Sequence, residues 1–286
     1  MLTILDDSAS CRGDSCDEYP DFSSTEDRQR TQWETDSPLD LPDLSDDDSA
    51  APSVEKIPAY LDGTLRDDVA ELYSPPRMVP RCARFGLRGS LSMDLNTGYD
   101  LFCSEGKQRA RWEVARRRPR FLMNCPPCTY YSKIQILWNK KKIPRSLWIQ
   151  RENYADTLLK FAMDMCQGQI DTGDLYGFEH PRHATSWKKP MVQEISSKKP
   201  TYLANFDMCR FNLKTKVEKR PTKKATTLMT NMPRLHVALD GCLCQGREVH
   251  QPLHSSEGGM TRCRWASMYT DEFCDAVLAV LVANPR

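Results

Sequence analysis

Up to about residue 68 apolar positions are sparse and follow no period; beyond it they recur in short runs that alternate with longer helical patterns. The run AELYS (70–74), ended by the prolines of SPPR, predicts a short strand. MVPRCARFGL (78–87) spaces its apolar residues for a helix stopped at Gly86, and GSLSMDL (89–95) predicts a second strand. SEGKQRARWEVARRR (104–118) reads as a helix with Ser104 as N-cap and a basic outer face. PRFLMN (119–124) is the next strand. After the basic loop NKKKIPRS (139–146), the stretch NYADTLLKFAMDMCQGQI (153–170) puts Ala155, Leu158, Leu159, Ala162, Met163 and Cys166 on one helical face. DLYGFEHP (174–181) predicts a strand ending in a polar, proline-terminated turn, and SWKKPMVQEIS (186–196) a short helix. TYLANFDMC (201–209) is partly strand, and YTDEFCDAVLAVLV (269–282) is a closing helix capped by Thr270.

Strands alternating with helices predict an α/β domain, with a mostly parallel sheet and helices on both faces. In such sheets ligands sit beyond the carboxyl ends of the strands. Two polar stretches, NCPPC (124–128) and FEHP (178–181), begin at such ends.

Charge divides the chain more sharply than hydropathy does. Residues 1–70 hold 19 of the 39 acidic residues but 5 of the 40 basic ones, so they carry a net −14 and the remainder +15. The head, with DSPLDLPDLSDDDSAAPS at its centre, has too little apolar surface to offset the entropy of ordering, which predicts a disordered acidic region over residues 1–68. It is expected either to shield the basic domain, touching that domain or another protein, or to serve as a solvated linker. The basic remainder suits a partner bearing phosphates. No apolar run of about 18 residues offers a bilayer span and no signal peptide opens the chain, so a soluble, intracellular protein without membrane contact is expected. Twelve irregularly spaced cysteines are expected to be mostly free thiols.

Two prolines between Cys125 and Cys128 admit three readings: a redox dithiol, half of a metal site, or a structural thiol beside a nucleophile. A redox pair belongs at the start of a helix, where the amide dipoles lower the first thiol's pKa, and this one follows a strand. A structural zinc site needs four ligands, and no second Cys-x-x-Cys matches the pair.

The third reading is carried by order. A strand, then Pro-Pro-Cys-Thr, then a strand ending in Phe178-Glu179-His180-Pro181, resembles DNA cytosine-5 methyltransferases. The downstream DMCRFNLKTKVEKRPTKKATTLMTNMP is similar to the late region of that family, where a cysteine-containing strand precedes a basic hairpin and a Thr-Asn strand. The resemblance spans residues 69–286 and is nearest to the methyltransferase-like segments of some protist retrotransposon polyproteins, where YSPPR, PPCT and FEHP recur.

It implies a Rossmann-like methyltransferase sheet, S-adenosylmethionine as methyl donor, DNA as partner and a nuclear location if DNA is the substrate. It further implies Cys128 as the nucleophile that adds to the pyrimidine and Glu179 as the acid that holds the base. Tyr73, Ser74 and Pro75, with the turn running on to Arg77, would face the methionine end. Asp94 would accept the ribose hydroxyls, or else cap a turn. Arg116, Arg117, Arg118, Lys140, Lys141 and Lys142 would hold phosphates. The chain departs from the family where SPPR replaces the glycine-rich first turn, Thr129 replaces Gln, and His180-Pro181 replaces Asn-Val. Two alternatives therefore stay open: a non-catalytic nucleic-acid-binding domain of a retrotransposon polyprotein, and an amino-methyltransferase in which Asn124 and the proline carbonyls bind an exocyclic amine.

Three further features are candidates for chemistry. His236, Cys242, Cys244 and His250, with His254 and Cys263 beyond, are the atoms zinc takes, although their spacing matches no known finger. His180 is either a proton shuttle or a residue that satisfies a backbone group. Trp138, Trp148, Trp187 and Trp265 either stack on unpaired bases or pack as core and rim aromatics.

Overall fold

A computed structural model describes residues 66–284, apart from 134–135, 138–139, 247–248 and 254–255. All of them belong to one unit, Ile57–Arg286. The disorder expected for the acidic head, and the readings of Trp138 and His254, fall outside the described residues. The last three residues assigned to that head are part of the fold. Asp67 is buried and bonds the Arg117 guanidinium, and Asp68 accepts the Arg88 amide.

Six strands make the sheet: β1 (Val69–Leu72), β2 (Gly89–Met93), β3 (Phe121–Asn124), β4 (Leu175–Pro181), β5 (Tyr202–Asp207) and β6 (Ala225–Thr230). Their order is β2-β1-β3-β4-β6-β5. β1 pairs in parallel with both β2 and β3, and β3 in parallel with β4. β6 runs antiparallel to β4 and to β5, which it separates. The parallel arrangement read from the alternation of elements therefore holds for five strands and is broken by β6.

Helices cover both faces because side chains alternate along each strand. Ala70, Leu72 and Leu122 point one way, onto α1 (Ser104–Arg117) and the long α2 (Arg145–Asp171). Tyr176, Phe178 and Met229 continue that face onto α2 and α3 (Pro190–Ser197). Val69, Phe121, Met123, Phe206 and Leu228 point the other way. They meet α4 (Pro233–Leu239) and the closing α6 (Asp271–Val282), with α5 (Arg262–Ala266) between. The six residues expected on one face of the 153–170 helix are all buried.

Several local expectations are corrected. Residues 79–85 form a 3-10 helix rather than an α-helix, with Gly86 at φ 67 as its left-handed stop. The N-cap of α1 is Cys103, whose sulfur accepts the Gly106 amide, and Ser104 is already helical. α2 begins at Arg145, inside the expected basic loop. The segment before α6 holds α4, a two-stranded hairpin of β7 (Ser256–Glu257) and β8 (Met260–Thr261), and α5. Thr270 caps α6 as expected, accepting the Phe273 amide. Among the described residues no helix is long and apolar enough to cross a membrane.

Candidate functional site at the carboxyl edge of the sheet

Beyond β1 the chain turns to β2 on one side, and beyond β2 it crosses back to β3 on the other, so the sheet reverses its winding between β1 and β3. Such a switch point opens a crevice at the carboxyl ends of the strands. Tyr73–Arg77, Asp94, Cys125–Cys128 and Glu179 all follow or end strands on that edge. Because β6 is reversed, its beginning lies there too: Thr226 pairs with Pro181, and Lys224 precedes it by two residues.

Lys224 is the basic residue of KRPTKKATT that the fold brings to this edge. Its Nζ lies 3.3 Å from Glu179 Oε1, and its side chain is 12% exposed. Burial works against the lysine charge, but Glu179, Cys128 and Cys125 more than offset it, and the Lys224 pKa is raised. Glu179 Oε2 accepts the Tyr269 hydroxyl at 3.1 Å. Tyr269 therefore spends its single proton on Glu179, and the Cys125 thiol, 2.6 Å from the same oxygen, donates to it. The Cys125 thiol is thus held by Tyr269, and its pKa is pushed up by burial and then by Glu179.

Cys128 makes no such bond and is half-buried, at φ −94 and ψ 0, in the sparsely populated region where active-site residues often sit. Burial pushes its thiol above the ordinary value; Lys224 pulls it down and Glu179 pushes it up. A thiol influenced by a lysine and a carboxylate at the carboxyl edge of the sheet can act as a nucleophile once it loses its proton.

His180 is no proton shuttle here. Its Nδ1 lies 2.6 Å from the Ser186 hydroxyl and its Nε2 2.9 Å from the Pro126 carbonyl, so Nε2 carries the hydrogen and the serine donates to Nδ1. Burial lowers its pKa to about 4. The imidazole ties the Cys125–Cys128 loop to β4. Asn124 is fully buried and its amide donates to Cys166 on α2 at 3.4 Å, while its Oδ1 has no partner. Of the groups the amino-methyltransferase reading requires, the Pro126 carbonyl is taken by His180, while Asn124 keeps its Oδ1 without a partner.

The turn after β1 is unusual. Tyr73 sits at φ 60, so a tyrosine adopts the left-handed conformation that a glycine-rich turn would supply, and its hydroxyl donates to the Leu158 carbonyl. The Ser74 hydroxyl donates to the Pro75 carbonyl. The amides of Arg77, Met78 and Val79 all donate to the fully buried carboxylate of Glu71, which also accepts from Ser92. Asp94 caps the 3-10 turn Leu95–Thr97 through Oδ1, as the turn reading has it.

The remaining candidates divide. Arg116 and Arg117 pair with Glu113 on their own helix, and the Arg117 carbonyl accepts the Asp67 amide just before β1. With Arg118 they stand at the amino edge, the far end of β3 from Cys128, at least about 13 Å away for a four-residue strand. Lys140, Lys141 and Lys142 are exposed and lead into α2 on the carboxyl side. Trp148 is buried, and Trp187 packs edge-on against Phe178. Trp265 lines an open cleft of about 310 Å3 with Arg77, Lys214, Met268 and Tyr269. His236 stacks on Tyr202 and Cys242 bonds the Ala238 carbonyl, so neither joins Cys244 and His250. Those two meet Cys209 instead, at the end of β5.

No protein-family model matches the sequence, and no curated protein matches it.

Proposed function

We propose that the chain is an S-adenosylmethionine-dependent DNA (cytosine-5) methyltransferase-like protein on a Rossmann-like sheet. The observation that carries this reading is the convergence of Cys128, Glu179 and Lys224 from three strand ends onto one edge, with Glu179 held between Lys224 and Tyr269. The reversal of winding beside β1 supports the sheet type.

In this reading a cytosine leaves the duplex and enters the crevice. The Cys128 thiolate adds to C6, and the electrons of the 5,6 double bond move to C5, turning a poor nucleophile into an enamine. Glu179 as the acid gives N3 the proton that makes the adduct a neutral enamine, and its other oxygen accepts the exocyclic amine hydrogen. Lys224 keeps a positive charge beside the carboxylate left behind. When bound, S-adenosylmethionine supplies an electrophilic methyl group. Tyr73, Ser74 and Pro75 would hold its methionine end and Asp94 its ribose; the left-handed backbone at Tyr73 is the feature that supports this placement.

The test is covalent trapping on DNA carrying 5-fluorocytosine, with S-adenosylmethionine present. An adduct lost in Cys128→Ser is expected, together with calorimetric binding of the donor that Asp94→Ala weakens. A second reading, a non-catalytic nucleic-acid binder derived from a mobile element, is favoured by the three amides that Glu71 consumes. DNA binding without donor binding or adduct would replace the first reading with the second.

A further inference from the structure

We propose that Cys209, Cys244 and His250 bind one zinc ion, a site independent of the reading given for Cys128. The three ligand atoms lie within 4.8 Å of one another, and Cys244 Sγ is 3.4 Å from His250 Nε2. In a tetrahedral site with zinc–sulfur bonds of about 2.3 Å and zinc–nitrogen bonds of about 2.0 Å, neighbouring ligand atoms stand roughly 3.5–3.8 Å apart. The sulfur–nitrogen pair is already at that spacing, and closing the rest needs shifts of about an ångström or less.

The ligands come from three separate places: the 3-10 turn Met208–Phe211 that follows β5, the loop after α4, and the approach to β7. The loop is set without the metal. The Cys244 amide donates to Asp207 Oδ2 at 2.9 Å, which fixes the residue beside the end of β5. The Gly246 amide points at Cys244 Sγ at 3.5 Å, an arrangement that suits a sulfur carrying negative charge. Two thiolates and an imidazole select zinc over magnesium or calcium, which take oxygen ligands. All three residues are half-buried, so the fourth position falls to water.

The site also answers a structural need. Among the described residues from Asp240 to Leu253 there is no helix or strand, yet this segment leads into the β7–β8 hairpin, α5 and Tyr269, which touches Glu179. A metal joining Cys244 and His250 to the end of β5 would anchor it.

The experiment is metal analysis of the full chain purified without chelating resin, followed by replacement with cobalt. One equivalent per chain is expected, with thiolate-to-cobalt absorption that disappears in Cys209→Ser and in Cys244→Ser but persists in Cys242→Ser and His236→Ala. Uptake that survives both serine variants, or no uptake by the wild type, overturns the proposal. A second measurement needs no variant: zinc should protect Cys209 and Cys244 from iodoacetamide in peptide mass spectra, and a chelator should release both. Equal labelling with and without zinc, or a Cys209–Cys244 disulfide in the chain freshly isolated without added oxidant, overturns it equally.

Discussion

Lys224 faces two groups of opposite consequence, the Glu179 carboxylate at 3.3 Å and the Cys128 thiol, whose pKa it pulls down. Replacing Lys224 by Met should raise that pKa further, and Glu179→Gln should lower it, each pKa unit changing the thiolate fraction about tenfold at a pH below both values. The rate of Cys128 alkylation against pH, read by peptide mass spectrometry, should therefore move in opposite directions in the two variants; parallel or absent shifts would refute the coupling. His180 gives a second residue-scale expectation. Its folded pKa of about 4 lies below the ordinary value near 6.5, so between those values the unfolded chain binds a proton that the folded chain does not. Stability contributed by the neutral imidazole is present above about pH 6.5 and falls with pH, by about 2 kcal/mol at pH 5. Denaturant midpoints at pH 7 and 5 should show that loss in the wild type, and His180→Gln should flatten it while weakening the protein at pH 7.

Elements carry their own reversals of expectation. Gly106 lies in the first turn of α1, where an alanine normally adds up to about 1 kcal/mol of helix stability. Here an added Cβ would come within 1.8 Å of the Asp100 carbonyl oxygen, so Gly106→Ala should cost roughly 1–3 kcal/mol instead, measured by chemical unfolding. Most of the sheet was legible because β1 to β4 are short apolar runs bounded by prolines, glycines and polar turns. What escaped has physical causes. The thiol of Cys103 caps α1 where a hydroxyl or carboxylate is the usual signal, and α2 starts after Pro144 without a side-chain cap in a strongly basic stretch. β6, ATTLMT, is too rich in threonine to show a period and is expected only through the resemblance, and its reversed direction is a matter of pairing that no local pattern encodes. For the same reason Cys128 and Glu179 stood out as strand-end residues, whereas Lys224, Tyr269 and Cys209 reach their partners only through long-range topology.

For the molecule as a whole, the charge excess of the basic part is spread over two opposite edges of the sheet. Arg116 and Arg117 are bound to Glu113 at the amino edge, while Lys140–Lys142 and the exposed Lys214, Lys216, Lys219, Arg220 and Lys223 lie toward the carboxyl edge. If DNA docks over Cys128, neutralising Lys140, Lys141 and Lys142 to Gln should weaken binding and reduce the slope of log affinity against log salt by about 2 to 3. Arg116→Gln with Arg117→Gln should leave that slope unchanged; an equal effect from both sets would place the nucleic acid elsewhere. The reversed β6 has one more consequence. The connection from Met208 to Lys224 leaves the carboxyl edge on β5 and returns to it on β6, with both ends clamped by backbone pairing of Asp207 with Ala225. Doubling the length of a flexible loop costs only about 0.6 kcal/mol of closure entropy. The exposed tip of this stretch, residues 216–220, can therefore change in length while the buried Met208, Leu213 and Thr222 stay in place and Lys224 stays beside Glu179, leaving the lineage free to revise what the crevice recognises without rebuilding the residues inside it.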